Sequence, residues 1–226
     1  MATQNQQKAY AYTQHISTVR IIEVLCGQKI AVLQQNRAKD PVEDILGQLT
    51  AGEYATLYVV LPIDKVVELL QKAPWLRIRL LQLDGSTIEK MTGRPYDPKT
   101  EYGFDVIKAA LRVVEVRGGS VRYMTLREMV DEIVKKGYKR VAVFNDVMRE
   151  GLWIALSRIG VDLELVKTCD GDCVQVNPPG YQSGYRISFP GTAGRLTAEQ
   201  IADMLLSGSA RIYYAEIDAS VVPMCS

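Results

Sequence analysis

The chain has 226 residues, which is enough for one large domain or two small ones with a substantial core. Its 27 basic and 26 acidic side chains nearly cancel, so there is no bulk electrostatic reason to bind nucleic acid or an anionic membrane. No run approaches the roughly 20 apolar residues that cross a bilayer, and the polar segment Met1–Gln14 lacks the apolar centre of a signal peptide. These features predict a cytoplasmic protein with no membrane partner, and near-neutral charge favours a homo-oligomer.

The N-terminal region predicts a flexible leader followed by a β-hairpin. Residues 1–16 are polar and contain His15, the single histidine of the chain. Val19–Leu25 and Lys29–Gln35 are apolar runs on either side of a glycine-containing turn, a pattern typical of a hairpin. Asp40, followed by proline, then predicts the start of a helix, because aspartate caps helices and proline suits their first position.

The middle of the chain predicts alternating strands and helices. Thr56–Leu61 and Leu76–Leu83 are expected strands. Pro62 opens the helix between them, and Ser86 begins a capping-box pattern for a short helix that follows. Two prolines in Arg94–Lys99 mark the best candidate for a subdivision of the chain.

The alternation continues to the C-terminus and defines the expected fold class. Helices separated by strands imply crossover connections and a largely parallel sheet. We therefore predict a single α/β domain over residues 17–226, Rossmann-like, with a mostly parallel or mixed sheet, helices on both faces and the N-terminal β-hairpin. The further strands are expected at Val121–Met124, Arg140–Asn145, Asp162–Thr168, Tyr185–Phe189 and Arg211–Ile217, and the further helices after Thr125, Asp146 and Thr197.

Polar side chains follow several of the predicted strands. Ligands of open α/β sheets bind beyond the carboxyl ends of the strands, and helix N-termini there attract anions. This edge predicts a small anionic ligand, such as a nucleotide, although serine, threonine and aspartate before a helix are also ordinary caps. Carboxylates brought together here would hold Mg²⁺. The candidate ligand-binding residues are Asp84, Ser86, Thr125, Asn145, Asp146 and Asp170, and the candidate metal ligands are Asp84, Asp146 and Asp170.

No established phosphate-binding motif supports the nucleotide interpretation. The chain lacks the G-x-x-x-x-G-K-[ST] loop and a G-x-G-x-x-G turn after its first strand. Gly191–Arg195 is a short glycine-containing connector with one arginine. Nucleophilic catalysis with a histidine base is not expected, because His15 lies in the predicted leader.

Glu101–Gly119 has two interpretations. As a helix, it places Phe104, Ile107 and Leu111 on one stripe. As a hairpin, it presents Asp105 on one strand and Glu115 and Arg117 on the next. That arrangement resembles the metal-binding core of the PD-(D/E)XK nuclease superfamily, and the resemblance implies a Mg²⁺-dependent nuclease acting on nucleic acid. Asp105 and Glu115 would hold the metal, with Arg117 in the position of the usual lysine.

The four cysteines are expected to remain thiols in a reducing compartment. Cys169 and Cys173 have C-x3-C spacing, unlike common zinc knuckles. They lie in a long loop, Cys169–Gly184. This loop and the tyrosines of the leader suggest a third class of function, a non-catalytic assembly protein.

Overall fold

The computed structural model describes residues 7–97, 99–190 and 196–225. The chain forms two compact units, the first made of Met1–Gly118 with Asp218–Ser226 and the second of Gly119–Ile217. Strands and helices alternate in both, which confirms the predicted α/β, Rossmann-like class. The proline-containing segment at residues 94–99 lies inside the first unit. Among the described residues, no helix is long and apolar enough to cross a bilayer.

The first unit contains a mixed sheet. Strand β1 pairs in parallel with β2 and β3, β3 pairs in parallel with β4, and β5 is antiparallel to β4. The strand order is β2-β1-β3-β4-β5. In chain order the elements are β1 Lys8–Tyr12, α1 Ile16–Cys26, β2 Ala31–Val32, α2 Pro41–Gln48, β3 Ala55–Val59, α3 Ile63–Lys72, β4 Leu76–Leu83, α4 Gly85–Thr92, α5 Phe104–Ala110 and β5 Leu111–Met124.

Helices cover both faces of the parallel strands. Every residue of β3 is buried, and because successive side chains of a strand point to opposite faces, neither face of β3 meets water. On one face, Val19 and Ile22 of α1 and Ile107 of α5 form a cluster with Ala11 and Tyr58. Such burial of β-branched residues stabilises each side chain by about 1.5–3 kcal/mol.

The prediction of a flexible leader and a hairpin is wrong for the described N-terminal residues. Residues 8–12 form strand β1, with Ala11 and Tyr12 buried. The β-branched run that predicted the first hairpin strand is helix α1, ending at Gly27 in the left-handed region. Its buried positions Val19 and Ile22 are three residues apart, so one helical face reaches the core and outweighs the strand preference of the side chains.

The segment at residues 100–119 is neither a continuous helix nor a hairpin. Residues 104–110 form α5, and β5 starts directly at Leu111. Valines 113, 114 and 116 are buried in pairing with β4. The helix therefore ends where the β-branched residues begin, because these side chains fit a sheet better than a helix.

The second unit contains a parallel three-stranded sheet with the order β7-β6-β8 and an antiparallel pair of β9 with β10. Helices α7 and α8 pack together, and side chains from α6, α7 and α8 share one core. The remaining elements in chain order are α6 Leu126–Lys135, β6 Arg140–Ala142, α7 Asp146–Arg158, β7 Glu164–Val166, β8 Val174–Gln175, β9 Gly184–Ser188, α8 Ala198–Ser207 and β10 Arg211–Val222. Residues from Asp218 onward in β10 belong to the first unit, and residues from Gly119 onward in β5 belong to the second.

The cysteines are paired, contrary to the expectation of thiols. Cys26 at the end of α1 is bonded to Cys225, 199 residues away in sequence. Cys169 and Cys173 form a second disulfide that closes a small loop. The C-x3-C spacing brings the two cysteines within bonding distance because the chain reverses between them at Gly171, whose φ of 114° favours glycine.

Candidate ligand-binding cavity

The first unit has a topological switch point beside β1. Helix α1 connects β1 to β2 on one side, and α2 returns the chain to β3 on the other side of β1. The two connections diverge at the carboxyl ends of β1 and β3, which leaves a crevice there. The residues that follow these strands, Thr13–His15 and Val60, therefore lie where α/β sheets bind ligands.

A cavity of about 250 Å³ opens at this edge of the sheet. Val60 follows β3, while Leu81, Gln82 and Leu83 belong to the end of β4. Leu111, the first residue of β5, lies opposite Leu83 in the antiparallel pair. The strand residues thus make a mostly apolar wall with one amide, the composition expected of a small-molecule pocket.

Helix α1 supplies the polar side of the cavity through His15 and Thr18. The backbone N–H of His15 donates to Oγ1 of the buried Thr13 at 3.0 Å, and Oγ1 of Thr18 donates to the carbonyl of His15 at 2.7 Å. His15 is the N-cap residue, yet its side chain makes no capping hydrogen bond. The backbone is therefore fixed while the imidazole, which is exposed, is left for other partners.

Tyr96 completes the lining from the loop after α4. Its ring stacks on Tyr102 at 6.1 Å between centroids, and its Cβ lies 3.4 Å from where a Cβ on Gly85 would stand. A Cβ at position 85 would therefore be in ordinary van der Waals contact with Tyr96. Burial raises the pKa of Tyr96, and Tyr102 and Asp97 raise it further. The phenol, like that of an ordinary tyrosine, is protonated at neutral pH and can donate a hydrogen bond.

The predicted ligand residues Asp84 and Ser86 do not line this cavity, although they lie nearby in sequence. Asp84 is the N-cap of α4, and its Oδ1 accepts from the backbone N–H of Ser86 at 3.2 Å. The hydrogen bond from Thr87 lowers the pKa of Asp84, and Arg112 is 3.6 Å away. Asp84 is therefore a helix cap whose negative charge is already balanced by Arg112.

The other predicted ligand residues belong to the second unit, where two of them are also caps. Thr125 caps α6 by accepting from Glu128, and Asn145 caps α7 by accepting from Met148. Asp146 is paired with Arg149 at 2.7 Å, which lowers its pKa. Asp170 is exposed in the disulfide loop.

The proposed metal site is not formed by these residues. Asp84 lies in the first unit, whereas Asp146 and Asp170 lie in the second. Within the described ranges, no group of three or more histidine, cysteine, aspartate or glutamate side chains could hold a metal ion. The structure therefore gives no support to the predicted Mg²⁺ site at Asp84, Asp146 and Asp170 among the residues it describes.

The hairpin that the nuclease interpretation requires is not formed. Asp105 lies in the first turn of α5 rather than on a strand. Glu115 is bound by Arg77 and lies 3.6 Å from the buried Arg79. Burial alone would raise the pKa of Glu115, but the hydrogen bond and charge of Arg77 lower it below its ordinary value.

Arg117, the third residue of the nuclease interpretation, donates to Ser220 at 2.9 Å and Asp218 at 3.2 Å. Glu115 and Arg117 therefore belong to an ion-pair network around β5. Their carboxylate and guanidinium already have partners of opposite charge, which is the arrangement of a structural cluster rather than of a metal centre.

His15, Val60 and Tyr96 line the cavity but were not among the site residues predicted from the sequence. The rule that selected residues after strands would have selected His15 as well if Lys8–Tyr12 had been recognised as a strand. In Lys8–Tyr12, the buried Ala9 and Ala11 alternate with tyrosines. This alternation is too short to predict a strand. The loop residue Tyr96 has no local sequence signal, since it reaches the cavity only through tertiary packing.

The segment Gly191–Arg195 lies outside the described residues. No protein-family model, curated protein or solved structure matches the chain.

Proposed function

We propose that the first unit binds a small ligand with an apolar body and an anionic group in the cavity at the carboxyl ends of β1, β3 and β4. The observation that carries this proposal is a cavity at the topological switch point, lined by the chain's single histidine and by apolar strand ends. The apolar body would lie against Leu83 and Leu111, and Tyr96 would stack on it.

The start of α1 supports an anionic group. The first turn has the positive end of the helix dipole, no acidic side chain and no side-chain cap from His15. The N–H groups of Ile16 and Thr18 already bond to the carbonyls of Gln14 and His15, so a ligand there would be held mainly by the dipole and by side chains. A phosphate or carboxylate placed there would be stabilised by the positive end of the helix dipole. The imidazole of His15, beside the same turn, would donate a hydrogen bond to it.

The volume of the cavity limits the size of the apolar part of the ligand. About 250 Å³ is slightly below the usual 300–1,000 Å³ range of small-molecule sites. A single planar ring system fits such a volume better than a dinucleotide does. A nucleoside monophosphate, with its base inside and its phosphate at α1, is therefore the ligand that we test first.

The test is a thermal-shift and calorimetric screen of nucleobases, nucleosides and nucleoside monophosphates, with inorganic phosphate as the probe of the anion position alone. A ligand that binds only the folded state raises the melting temperature by mass action. We expect the monophosphates to give the largest shift. A flat response across the whole screen would remove the proposal.

Two variants locate the binding. Val60→Trp fills the cavity mouth and should weaken ligand affinity by about 100-fold, since the body of the ligand loses its space. Val24→Trp is the matched control, because Val24 is exposed on α1 and does not line the cavity. His15→Ala should weaken the monophosphate about tenfold and the uncharged nucleoside much less. Equal affinity in wild type and Val60→Trp would place the ligand elsewhere.

The expected cytoplasmic location and homo-oligomer stay predictions. The two disulfides are typical of proteins from oxidising compartments. Quantifying free thiols in protein isolated under rapid alkylation tests the location, and sedimentation velocity tests the oligomer.

A further inference from the structure

The second unit has an open groove along the edge of its parallel sheet. The groove is formed by α7 and β7, with a volume of about 630 Å³. Trp153 of α7 lines the groove, and so do the four residues from Asp162 to Leu165. All of these residues belong to the second unit, so the groove is complete within it.

Residues of the edge strand β7 line this groove. In the order β7-β6-β8, β7 is the edge strand. The N–H of Glu164 donates to Lys139, and the carbonyl of Val166 accepts from Val143. Since alternate residues of a parallel strand point their backbone groups to opposite sides, those of Leu163 and Leu165 point away from β6. Such an edge is a template for another strand.

Exposed apolar side chains flank the same edge. Trp153 is 58% exposed and Phe144 is 67% exposed. The ammonium group of Lys167 lies 5.4 Å from the centre of the Phe144 ring and 3.8 Å from Asp146, which lines the groove. A large exposed tryptophan beside an open edge is the kind of anchor that dominates binding energy at protein interfaces.

The charge of the groove indicates the charge of a partner that would bind there. Its ionisable lining residues are four acids and one base. The base, Arg149, is already paired with Asp146, and Glu164 lies 3.5 Å from Arg140. Glu150 and Asp162 have no ion pair with any described residue. Lys167 also lies 3.8 Å from Asp146, so the four acids face three bases, and the remaining negative charge of the groove complements a basic segment.

We propose that this groove binds an extended, basic segment of a partner protein, which adds a strand to the edge of β7 beside Trp153. The backbones of Leu163 and Leu165 would hydrogen-bond to the segment. Its apolar side chains would contact Trp153, and its lysine or arginine side chains would pair with Glu150 and Asp162. Backbone pairing supplies affinity and the alternate side chains supply specificity in this mode of recognition.

The test uses a fluorescein-labelled peptide of about eight residues in which lysine and valine alternate, since this length matches a typical strand. Fluorescence anisotropy measures its binding to the full-length protein. An analogue with glutamate in place of lysine tests charge, and an analogue N-methylated on alternate backbone nitrogens tests strand pairing. We expect the lysine peptide to bind at least about tenfold more tightly than either analogue.

Variants of the groove separate this site from non-specific adsorption. Trp153→Ala and the double variant Glu150→Gln/Asp162→Asn should each weaken the lysine peptide about tenfold. Tyr54→Ala removes an exposed aromatic side chain of the first unit and should leave the affinity unchanged. Nuclear magnetic resonance should show the largest amide shifts at Leu163 and Leu165.

Three results would overturn the proposal. The first is no binding of the lysine peptide or equal binding of the glutamate analogue. The second is an affinity that Trp153→Ala does not change. The third is concentration-dependent self-association that Trp153→Ala abolishes, because the occupant of the groove would then be a second copy of the chain.

Discussion

Glu132 illustrates how single side chains are held in the second unit. Its carboxylate accepts two hydrogen bonds from Arg122 and one from the hydroxyl of Tyr185 at 2.7 Å. Lys136 donates to the same hydroxyl at 3.0 Å and lies 5.1 Å from the ring centroid. The hydrogen bonds from Arg122 and Tyr185 lower the pKa of Glu132 to about 2. The charged carboxylate therefore stabilises the folded state.

The acid stability of the protein should reflect this group. Because folding lowers the pKa of Glu132 from 4.5 to about 2, its contribution is present above pH 4.5 and is lost as the pH falls towards 2. Glu132→Gln should lower the free energy of unfolding by about 1–2 kcal/mol at pH 7, since a partly exposed ion pair is screened. The difference from wild type should shrink below pH 4.5 in urea titrations.

Asp131→Asn is the control for this experiment, since Asp131 is exposed on the same helix and has no ion pair among the described residues. Its effect on stability should be small at every pH. A Glu132→Gln effect that is equal at pH 7 and pH 2.5, in the range where the carboxylate titrates, would contradict the assignment.

At the scale of elements, α7 and α8 approach each other closely at Gly151. A Cβ on Gly151 would stand 2.5 Å from Cγ2 of Ile201 and 2.9 Å from the carbonyl oxygen of Ala198. These distances are shorter than van der Waals contact, and one of the two partners is backbone. The packing of this helix pair therefore depends on the absence of a side chain at one position.

Gly151→Ala should destabilise the protein although alanine is the better helix former. The gain in helix propensity is about 1 kcal/mol, whereas forced separation of the packed helices costs about 1–3 kcal/mol or more. Gly47→Ala in α2 is the matched control, because its added Cβ meets nothing within 4 Å. We expect it to be neutral or stabilising. Thermal unfolding of both variants measures the contrast, and a stabilised Gly151→Ala would contradict the close packing.

The helices with clear local signals were predicted well. Asp40 caps α2 with Pro41 in the first turn, Thr125 caps α6, and Thr197 forms a complete capping box at α8. These signals are local, since a cap and the N–H groups that it binds are neighbours in sequence. Helix α1 lacks a side-chain cap, and without that signal its β-branched residues suggested a strand.

At the scale of the whole molecule, the Cys26–Cys225 disulfide joins the end of α1 to the C-terminal segment. A cross-link over 199 residues removes far more freedom from the unfolded chain than one over four residues. The chain-entropy relation gives about 5 kcal/mol for the long loop and about 2 kcal/mol for the short one. The first disulfide is therefore the main covalent contribution to stability.

Paired substitutions test this difference. Cys26→Ser/Cys225→Ser should lower the free energy of unfolding, measured by urea titration, by about 3 kcal/mol more than Cys169→Ser/Cys173→Ser does. Adding a reductant should lower the midpoint of the wild type to that of a variant lacking both bonds. Equal losses in the two double variants would show that loop length does not govern their contributions.

The sequence by itself determined the α/β class and most of the strands and helices, because hydrophobic periodicity and caps act over a few residues. Tertiary structure alone decided that Lys8–Tyr12 is a strand inside the sheet and that His15 consequently faces a cavity. It also decided that Asp84 lies in a different unit from Asp146 and Asp170. Strand order is set by packing between distant segments, and no local pattern records which strand ends become neighbours.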